Sequence, residues 1–221
     1  MEKTVEKIYF LGPVGSYSQI ALNNFQEKVL KNAEIEEVST IKKILNLIDE
    51  NENCFAVVPV ENSIEGIVRE TIDNLLVAKK SLKILSQTIV EINHCLLSKG
   101  KKEEIKYITS HPQALAQCQK YISDNFGSNI ELIPSSSTSN SAKEVANAIN
   151  SWGAIANEYC AKLYDLNILD TNINDCQNNY TRFILISKDI YTSKNANIIY
   201  NNLQIFCYAT VAQLVEQRIR N

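Results

Sequence analysis

The chain has 221 residues, a length that corresponds to one large domain or two smaller lobes and that can bury a core without disulfides or metals. Its formal net charge is −3, from 22 Lys and Arg against 25 Asp and Glu. This balance argues against proteins that bind nucleic acids or membrane surfaces through a basic patch, and the 6 Gly and 4 Pro exclude collagen-like and linker-rich chains.

In the first part of the chain, short apolar runs alternate with amphipathic segments. The apolar runs predict strands at residues 7–11, 35–38 and 54–60, and apolar residues at helical spacing predict helices at residues 18–30, 41–48 and 67–77. Residues 82–97 contain two strand-like pieces that are rich in β-branched residues and have no helix between them. This interruption predicts a passage from one lobe to another.

The alternation then restarts. Strands are predicted at residues 107–109, 130–133, 153–156 and 181–187, and helices at residues 112–126, 139–149 and 158–164. Such alternation predicts an α/β fold with mainly parallel sheets. In open α/β sheets, ligands bind at the carboxyl ends of the strands.

Small polar residues follow the predicted strands at five places, which are residues 12–18, 61–63, 110–112, 135–139 and 157–158. Hydroxyls and free backbone N–H groups at helix starts bind anions, although the same residues also serve as ordinary helix caps. Because all five junctions supply hydrogen-bond donors, we expect a shared site for a small acid.

Arg182 opens an apolar strand, and Arg69 is the other arginine within the first 217 residues. A guanidinium at that place needs a partner, which is either a substrate carboxylate or an internal salt bridge. The six cysteines have no CxxC spacing, and His94 and His111 have no Cys or His partner at ligand spacing, so no zinc site is predicted. We expect His94 and Cys118 to be buried structural residues.

Six motifs, in this order along the chain, together resemble the prephenate dehydratase family. They are GPVGSYS at 12–18, VPVENSIEG at 58–66, SHPQALAQC at 110–118, Ser137-Thr138 followed by Ala142, AIA at 154–156 and NYTRF at 179–183. The resemblance covers about residues 7–188, the length of a whole catalytic domain.

The resemblance implies an α/β fold of two Rossmann-like lobes, similar to type II periplasmic binding proteins, with the active site in the cleft between the lobes. We expect lobe 1 at about residues 7–85 plus 170–188 and lobe 2 at about residues 90–168. The family converts prephenate to phenylpyruvate, CO2 and water in phenylalanine biosynthesis, as a hydro-lyase that needs no cofactor and no metal. Prephenate is therefore the expected small-molecule partner.

By the same resemblance, Thr181 is expected to donate a proton to the leaving hydroxyl, with Glu61 as the alternative acid. Arg182 would anchor a carboxylate or brace the cleft. The other candidates for substrate binding are Gly12, Ser16, Asn62, Ser63, Ser110, Gln117, Ser137, Thr138 and Phe183. This donor set suits the reaction, because hydroxyls and backbone N–H groups hold a departing carboxylate less tightly than several arginines would.

Arogenate dehydratase and a non-catalytic two-lobed binding module are the alternative functions. Residues 189–221 lack the motifs of the phenylalanine-binding ACT domain that bacterial members usually carry, which predicts a truncated or frameshifted C-terminus without feedback by phenylalanine. A genuine short tail is the other interpretation. Since no signal peptide and no long apolar run occurs, we expect a cytoplasmic protein with reduced thiols, and a homodimer is left open.

Overall fold

The structure is a computed structural model that describes residues 7–29, 33–77 and 82–188. The predicted tail at residues 189–221 lies outside the described residues. The strands are β1 (Lys7–Leu11), β2 (Glu34–Val38), β3 (Cys54–Asn62), β4 (Gly66–Ile67), β5 (Leu82–Glu91), β6 (Cys95–Ser98), β7 (Tyr107–Ser110), β8 (Glu131–Pro134), β9 (Trp152–Ala156), β10 (Asn167–Asp170) and β11 (Tyr180–Lys188). The helices are α1 (Tyr17–Val29), α2 (Ile41–Glu50), α3 (Arg69–Val77), α4 (Pro112–Gln117), α5 (Gln119–Phe126), α6 (Thr138–Ala146) and α7 (Glu158–Tyr164).

The chain divides into two compact units, of which the first contains the described residues up to 12, between 18 and 90, and from 180 onward. Its sheet has the strand order β2-β1-β3-β11-β5, and β4 is paired to β3. Strand β1 is parallel to β2 and β3, whereas β11 is antiparallel to β3. Helix α2 covers one face, because its spacing places Ile41, Ile44, Leu45 and Ile48 together on the buried side.

The second unit contains residues 13–17 and 91–179, and its sheet has the order β10-β6-β9-β7-β8. Strand β7 is parallel to β8 and β9, and β6 is antiparallel to β9 and β10. Alternate residues of the central strands contribute to two apolar clusters. Ala154 and Ala156 pack in the cluster with residues of α6 and α7, while Ile155 packs in the cluster with residues of α4 and α5.

Two α/β units, each with its own sheet, confirm the predicted fold class. The prediction of mainly parallel sheets is wrong, because β6, β10 and β11 run antiparallel to neighbours. The predicted lobe boundaries also differ from the units, since residues 13–17 and 170–179 group with the second unit. The physical reason at residues 170–179 is hydrogen bonding: Asn174 Oδ1 accepts from the His94 amide at 2.7 Å, and the Asp175 amide donates to the Gln117 carbonyl at 2.7 Å.

The single helix predicted over residues 112–126 is two helices that meet at Cys118. Cys118 has φ −122° and ψ 19°, which interrupts the helical backbone, while its fully buried side chain still packs in the core. Helix α3 begins at Arg69, because Ile67 belongs to the short strand β4. No helix in the described part of the chain is long and apolar enough to cross a bilayer.

Candidate active site

The first unit brings Thr181 and Asn62 together through the register of β3 and β11. Thr181 lies opposite Asn62 and Arg182 lies opposite Glu61 in the antiparallel ladder. Side chains of directly opposed residues point to the same face of a sheet, and successive residues alternate between faces. The pairs Asn62–Thr181 and Glu61–Arg182 therefore occupy opposite faces of the ladder.

Hydrogen bonds fix the orientation of the Asn62 amide. Its Oδ1 accepts from the backbone N–H groups of Ile64 and Glu65 at 2.9 and 3.0 Å, so its Nδ2 group faces β11. That Nδ2 donates to Thr181 Oγ1 at 2.9 Å and to the Tyr180 carbonyl at 3.2 Å. Because Thr181 Oγ1 is the acceptor in this bond, its own proton is directed elsewhere and can be donated.

On the other face, Arg182 has partners on both neighbouring strands. Its Nε lies 3.3 Å from Glu61 Oε2 on β3, and its Nη1 donates to Gln87 Oε1 on β5 at 2.8 Å. The internal ion pair that the sequence left open is thus present, which explains a charge at the start of an apolar strand. Contact of Arg182 with a substrate carboxylate stays a prediction.

The remaining candidates of the first unit hold the loop after β3 and the sheet. The Ser63 amide donates to the Tyr180 carbonyl at 2.9 Å, and Ser63 Oγ accepts from the Tyr180 amide at 2.9 Å. Gly12 N–H donates to the Val38 carbonyl at 3.0 Å and so closes the end of β1 against β2. Phe183 is 2% exposed and packs in the core of the unit. The two Ser63 bonds join the loop after β3 to Tyr180, the neighbour of Thr181 in the chain.

In the second unit, the hydroxyls of Ser110 and Ser137 and the backbone carbonyl of Thr138 take part in hydrogen bonds of the fold. Fully buried Ser110 donates from its Oγ to the Ile155 carbonyl at 2.6 Å, which ties β7 to β9. Ser137 is the N-cap of α6 and accepts from the Asn140 amide at 3.0 Å. Thr138 is the first residue of that helix, and its carbonyl accepts from Ser141 Oγ at 2.6 Å. Substrate binding by these hydroxyls stays a prediction.

The GPVGS segment is anchored within the second unit by the starts of α6 and α7. Asn157 Nδ2 donates to the Gly15 carbonyl at 2.8 Å, and Ser139 Oγ donates to the Val14 carbonyl. The Ser16 amide donates to the Pro13 carbonyl at 3.1 Å and closes a turn. Asn157 is the N-cap of α7, so one side chain both begins a helix and holds the segment.

Gln117 lies at the centre of a polar cluster that also contains His94, Asn179 and Tyr17. Its Oε1 is 3.2 Å from Asn179 Nδ2 and 3.3 Å from His94 Nε2. The Tyr17 hydroxyl lies 3.2 Å from His94 Nδ1 and donates to the Asn93 carbonyl at 2.6 Å. Burial lowers the pKa of His94 to about 4 and raises the pKa of Tyr17 well above its usual value.

The sequence interpretation missed the connection between His94 and Gln117, although it predicted that His94 is structural. The two residues are 23 positions apart, and neither periodicity nor motif spacing shows that they meet. Tyr17 and Asn179 lie inside the matched motifs at 12–18 and 179–183. Their place in these motifs was the one sign in the sequence that they belong to the site.

The chemistry of the described residues points to neutral hydrogen-bond donors. Burial raises the pKa of the Cys118 thiol to about 12 and that of the Cys160 thiol to about 11, so both stay protonated and are poor nucleophiles. Within the described ranges, no group of three or more His, Cys, Asp and Glu side chains could hold a metal ion.

Several known proteins are similar to this chain in sequence or in structure. A family model described as prephenate dehydratase matches residues 8–190. The prephenate dehydratase of Methanocaldococcus jannaschii is 40% identical over 202 residues, which cover 90% of this chain and 71% of that protein. The prephenate dehydratase of Lactococcus lactis subsp. cremoris is 36% identical over 184 residues, which cover 83% of this chain and 64% of that protein.

The crystal structure of a prephenate dehydratase from Arthrobacter aurescens, solved in complex with L-Phe, is also similar. It superposes with a TM-score of 0.73 at 30% identity, over 82% of this chain and 60% of that chain. The family model matches most of the chain, two enzymes of the family are similar to it in sequence and one is similar in structure, so the chain belongs to the prephenate dehydratase family of lyases.

Proposed function

We propose that this chain catalyses the decarboxylative dehydration of prephenate to phenylpyruvate, CO2 and water, a step of phenylalanine biosynthesis. Membership of the family and the identity with the M. jannaschii enzyme support this function. The observation in this chain that carries the mechanism is the bond from Asn62 Nδ2 to Thr181 Oγ1, because it leaves the Thr181 proton available to a leaving group.

The reaction needs one proton, which must reach the leaving hydroxyl of the ring. As the ring carboxylate departs as CO2, the electron pair of the broken C–C bond enters the ring and completes the aromatic system. The ring hydroxyl departs with one added proton as water, and the donor regains its proton from solvent. A hydroxyl such as Thr181 is a weak acid, so the Asn62 bond contributes by stabilising negative charge that develops on Oγ1.

Glu61 is the less suitable donor. It lies on the opposite face of the β3–β11 ladder from Thr181, and its Oε2 accepts from the Arg182 guanidinium. An ionised carboxylate only accepts hydrogen bonds. We therefore assign Glu61 to bracing Arg182, and we assign proton donation to Thr181.

The test is turnover of prephenate by the purified chain and by two variants of one residue. Thr181→Ala is expected to lower kcat by about 100-fold or more, because a positioned acid contributes ~10²–10⁴ to a rate. Thr181→Ser keeps the hydroxyl and is expected to retain most of the activity. Phenylpyruvate formation is followed directly, with circular dichroism as the check on folding. Near-normal turnover by folded Thr181→Ala would remove this residue from the mechanism.

Glu61→Gln is the matched variant on the other face. It keeps the shape of the side chain and removes its charge, so we expect kcat to fall less than tenfold, well below the effect of Thr181→Ala. A loss as large as that of Thr181→Ala would reverse the two assignments. Arogenate, assayed in parallel, tests the neighbouring substrate, and ligand binding without turnover of either compound would favour the binding module.

The thiols give a supporting indication about the compartment. Five cysteines among the described residues are free, and four of them are buried, as in proteins of a reducing environment. We propose the cytoplasm on this ground.

A further inference from the structure

The ladder between β3 and β11 contains a β-bulge directly beside the proposed proton donor. Pro59 lies opposite Phe183, and Glu61, two positions further along β3, lies opposite Arg182, the adjacent residue of β11. Val60 is therefore an extra residue of β3, without an opposite residue in the described part of β11. Pro59 favours a bulge at this place, because proline has no N–H to donate to a ladder and within sheets is confined to edges, strand starts and bulges.

The packing of the two strands shows how a ladder without the bulge would be arranged. Every second residue of β3 up to the bulge packs in one apolar cluster with α2, namely Cys54, Ala56, Val58 and Val60. The same cluster contains Ile184 and Ile186 of β11, so alternation directs Thr181 to the other face of the sheet. Regular continuation of β3 would direct Glu61 to that face as well, directly beside Thr181.

The bulge shifts this pairing by one residue, so that Asn62 and not Glu61 lies opposite Thr181. Asn62 Nδ2 donates to Thr181 Oγ1 at 2.9 Å, which leaves the hydroxyl proton for another bond. An ionised Glu61 carboxylate has no proton to donate and would accept the Thr181 proton itself. The register with the bulge is therefore the one in which Thr181 can donate to a leaving hydroxyl.

The start of α3 holds the bulge from outside the β3–β11 ladder. Thr71 is fully buried, and its Oγ1 donates to the Pro59 carbonyl at 2.6 Å. The Val68 amide donates to the Val60 carbonyl at 2.9 Å, and the Thr71 amide donates to the Val68 carbonyl at 3.0 Å. The peptide groups on both sides of Val60 are thus bonded to residues 68 and 71.

The Thr71 hydroxyl opposes a return to the regular register. In a regular ladder, backbone carbonyls are directed at the neighbouring strands, whereas the Pro59 carbonyl accepts from a side chain of a helix. A regular register would require the peptide group between Pro59 and Val60 to turn. The buried Thr71 hydroxyl would then lose its acceptor, which is costly in a protein interior.

We propose that Thr71 is a positioning residue, whose hydroxyl fixes the bulge and with it the register that places Asn62 beside Thr181. Thr71 acts through the backbone of β3. This inference rests on the proposed function, in which Thr181 donates the proton to the leaving hydroxyl.

Cysteine cross-links test the register without any turnover. Opposite residues of an antiparallel ladder lie within disulfide distance, whereas side chains on different faces do not meet. Glu61→Cys combined with Arg182→Cys should therefore cross-link under mild oxidation, and Glu61→Cys combined with Thr181→Cys should not. Peptide mass spectrometry distinguishes these pairs from the native cysteines. Absence of the first cross-link, or formation of the second, would overturn the proposal.

Thr71→Val tests the role of the hydroxyl, because it keeps the shape of the side chain and removes the bond to Pro59. In this background we expect the cross-link between positions 61 and 182 to weaken and the one between positions 61 and 181 to appear. Unchanged yields would contradict the proposal. These yields can stay unchanged while prephenate is turned over normally, so failure of this inference is distinguishable from failure of the proposed function.

Kinetics test the consequence for the reaction. In folded Thr71→Val, we expect kcat for prephenate to fall about tenfold or more while KM changes about threefold or less, because proton donation belongs to the chemical step. Thr71→Ser keeps the hydroxyl and should retain most of kcat. An unchanged kcat in folded Thr71→Val, or a rise in KM alone, would contradict the proposal. If Thr71→Val does not fold, loss of kcat in folded Thr71→Ser would contradict it, and normal kcat with normal cross-links would support it.

Ser187→Ala is the matched control for the loss of a buried hydroxyl bond. Ser187 Oγ donates to the Cys54 carbonyl at 2.9 Å, between the same two strands. Ser187 lies about 20 Å along β11 from Thr181, so its loss should leave the register at Thr181 intact. We expect a similar fall in the midpoint of thermal unfolding and a change in kcat of less than about twofold. Equal losses of kcat in Ser187→Ala and Thr71→Val would show a general effect of stability and would contradict the proposal.

Discussion

The two units use similar polar residues in different ways. In the first unit, Asn62 and Thr181 bond to each other through their side chains, and the backbone around them supplies the support. In the second unit, Ser110 donates its hydroxyl proton to a strand carbonyl, and the Ser137 hydroxyl accepts the helix-cap bond from a backbone N–H. Membership of a matched motif therefore does not imply the same hydrogen-bonding arrangement, because the Ser110 proton is donated within the fold and the Thr181 oxygen accepts a side-chain bond.

We expect the largest change in the free energy of unfolding from a substitution at Gly15, which lies in the second unit. Its φ is +88°, and an added Cβ would overlap the Ser139 hydroxyl and lie 3.1 Å from Cys160 Sγ. Gly15→Ala should therefore lower the free energy of unfolding by about 3 kcal/mol or more, from backbone strain plus steric overlap. Urea denaturation followed by circular dichroism measures it.

Gly127 provides the matched control. It also has positive φ, +64°, but nothing lies within 4 Å of an added Cβ. Gly127→Ala should cost about 1–3 kcal/mol from the backbone conformation alone, because side chains rarely adopt φ +64° with ψ −150°. Equal losses in the two variants would show that the packing around Gly15 contributes little.

The next largest effect is the pH dependence that His94 gives to the free energy of unfolding. Burial lowers the pKa of His94 from 6.5 to about 4, so between these values the unfolded chain binds a proton that the folded chain does not. The free energy of unfolding should thus fall as the pH decreases from about 6.5 to about 4, by about 2–3 kcal/mol from this residue. The titratable side chain that contacts the ring is Tyr17, which stays neutral throughout this range.

The difference between the unsubstituted chain and His94→Gln isolates this contribution from that of the carboxylates. Thermal unfolding at several pH values should show a shallower loss on acidification in His94→Gln than in the unsubstituted chain. His111→Gln is the control, and its profile should keep the full loss. Parallel profiles for all three proteins would contradict the burial of His94 as a neutral ring.

The smallest effect is expected at Ser110. Ser110→Ala removes the buried bond to the Ile155 carbonyl and should lower the free energy of unfolding by about 1–2 kcal/mol. Chemical denaturation gives the stability, and KM for prephenate is the second readout. Unchanged stability together with a raised KM would move Ser110 from the scaffold to the substrate, and would weaken the contrast between the units.

The sequence was sufficient where local patterns decide the structure. The buried strands β1 and β3 follow from continuous apolar runs, and α2 follows from apolar residues at helical spacing. Strand β10 was not predicted, because its four residues are half-buried or exposed at the edge of a sheet and show no apolar run. The break between α4 and α5 was also missed, since Cys118 is apolar and fits the helical pattern on both sides.

The candidate site was predictable as a set of residues and not as a set of contacts. The matched motifs contain Asn62, Thr181 and Gln117. The contact between Thr181 and Asn62, which are 119 residues apart in the chain, depends on the register of β11 against β3. Likewise, the sequence allowed either a substrate carboxylate or an internal salt bridge as the partner of Arg182. In the structure, Glu61 on β3 and Gln87 on β5 contact its guanidinium. Long-range pairing of this kind is absent from a single sequence.

Strand β11 has a consequence for the synthesis of the protein. It lies between β3 and β5 in the first sheet, although residues 92–179 separate β5 from it along the chain. On the ribosome, the first unit cannot complete its sheet until residue 188 has emerged, and β3 exposes an unpaired edge until then. A nascent chain that stops before residue 181 would therefore lack the proton donor that we propose.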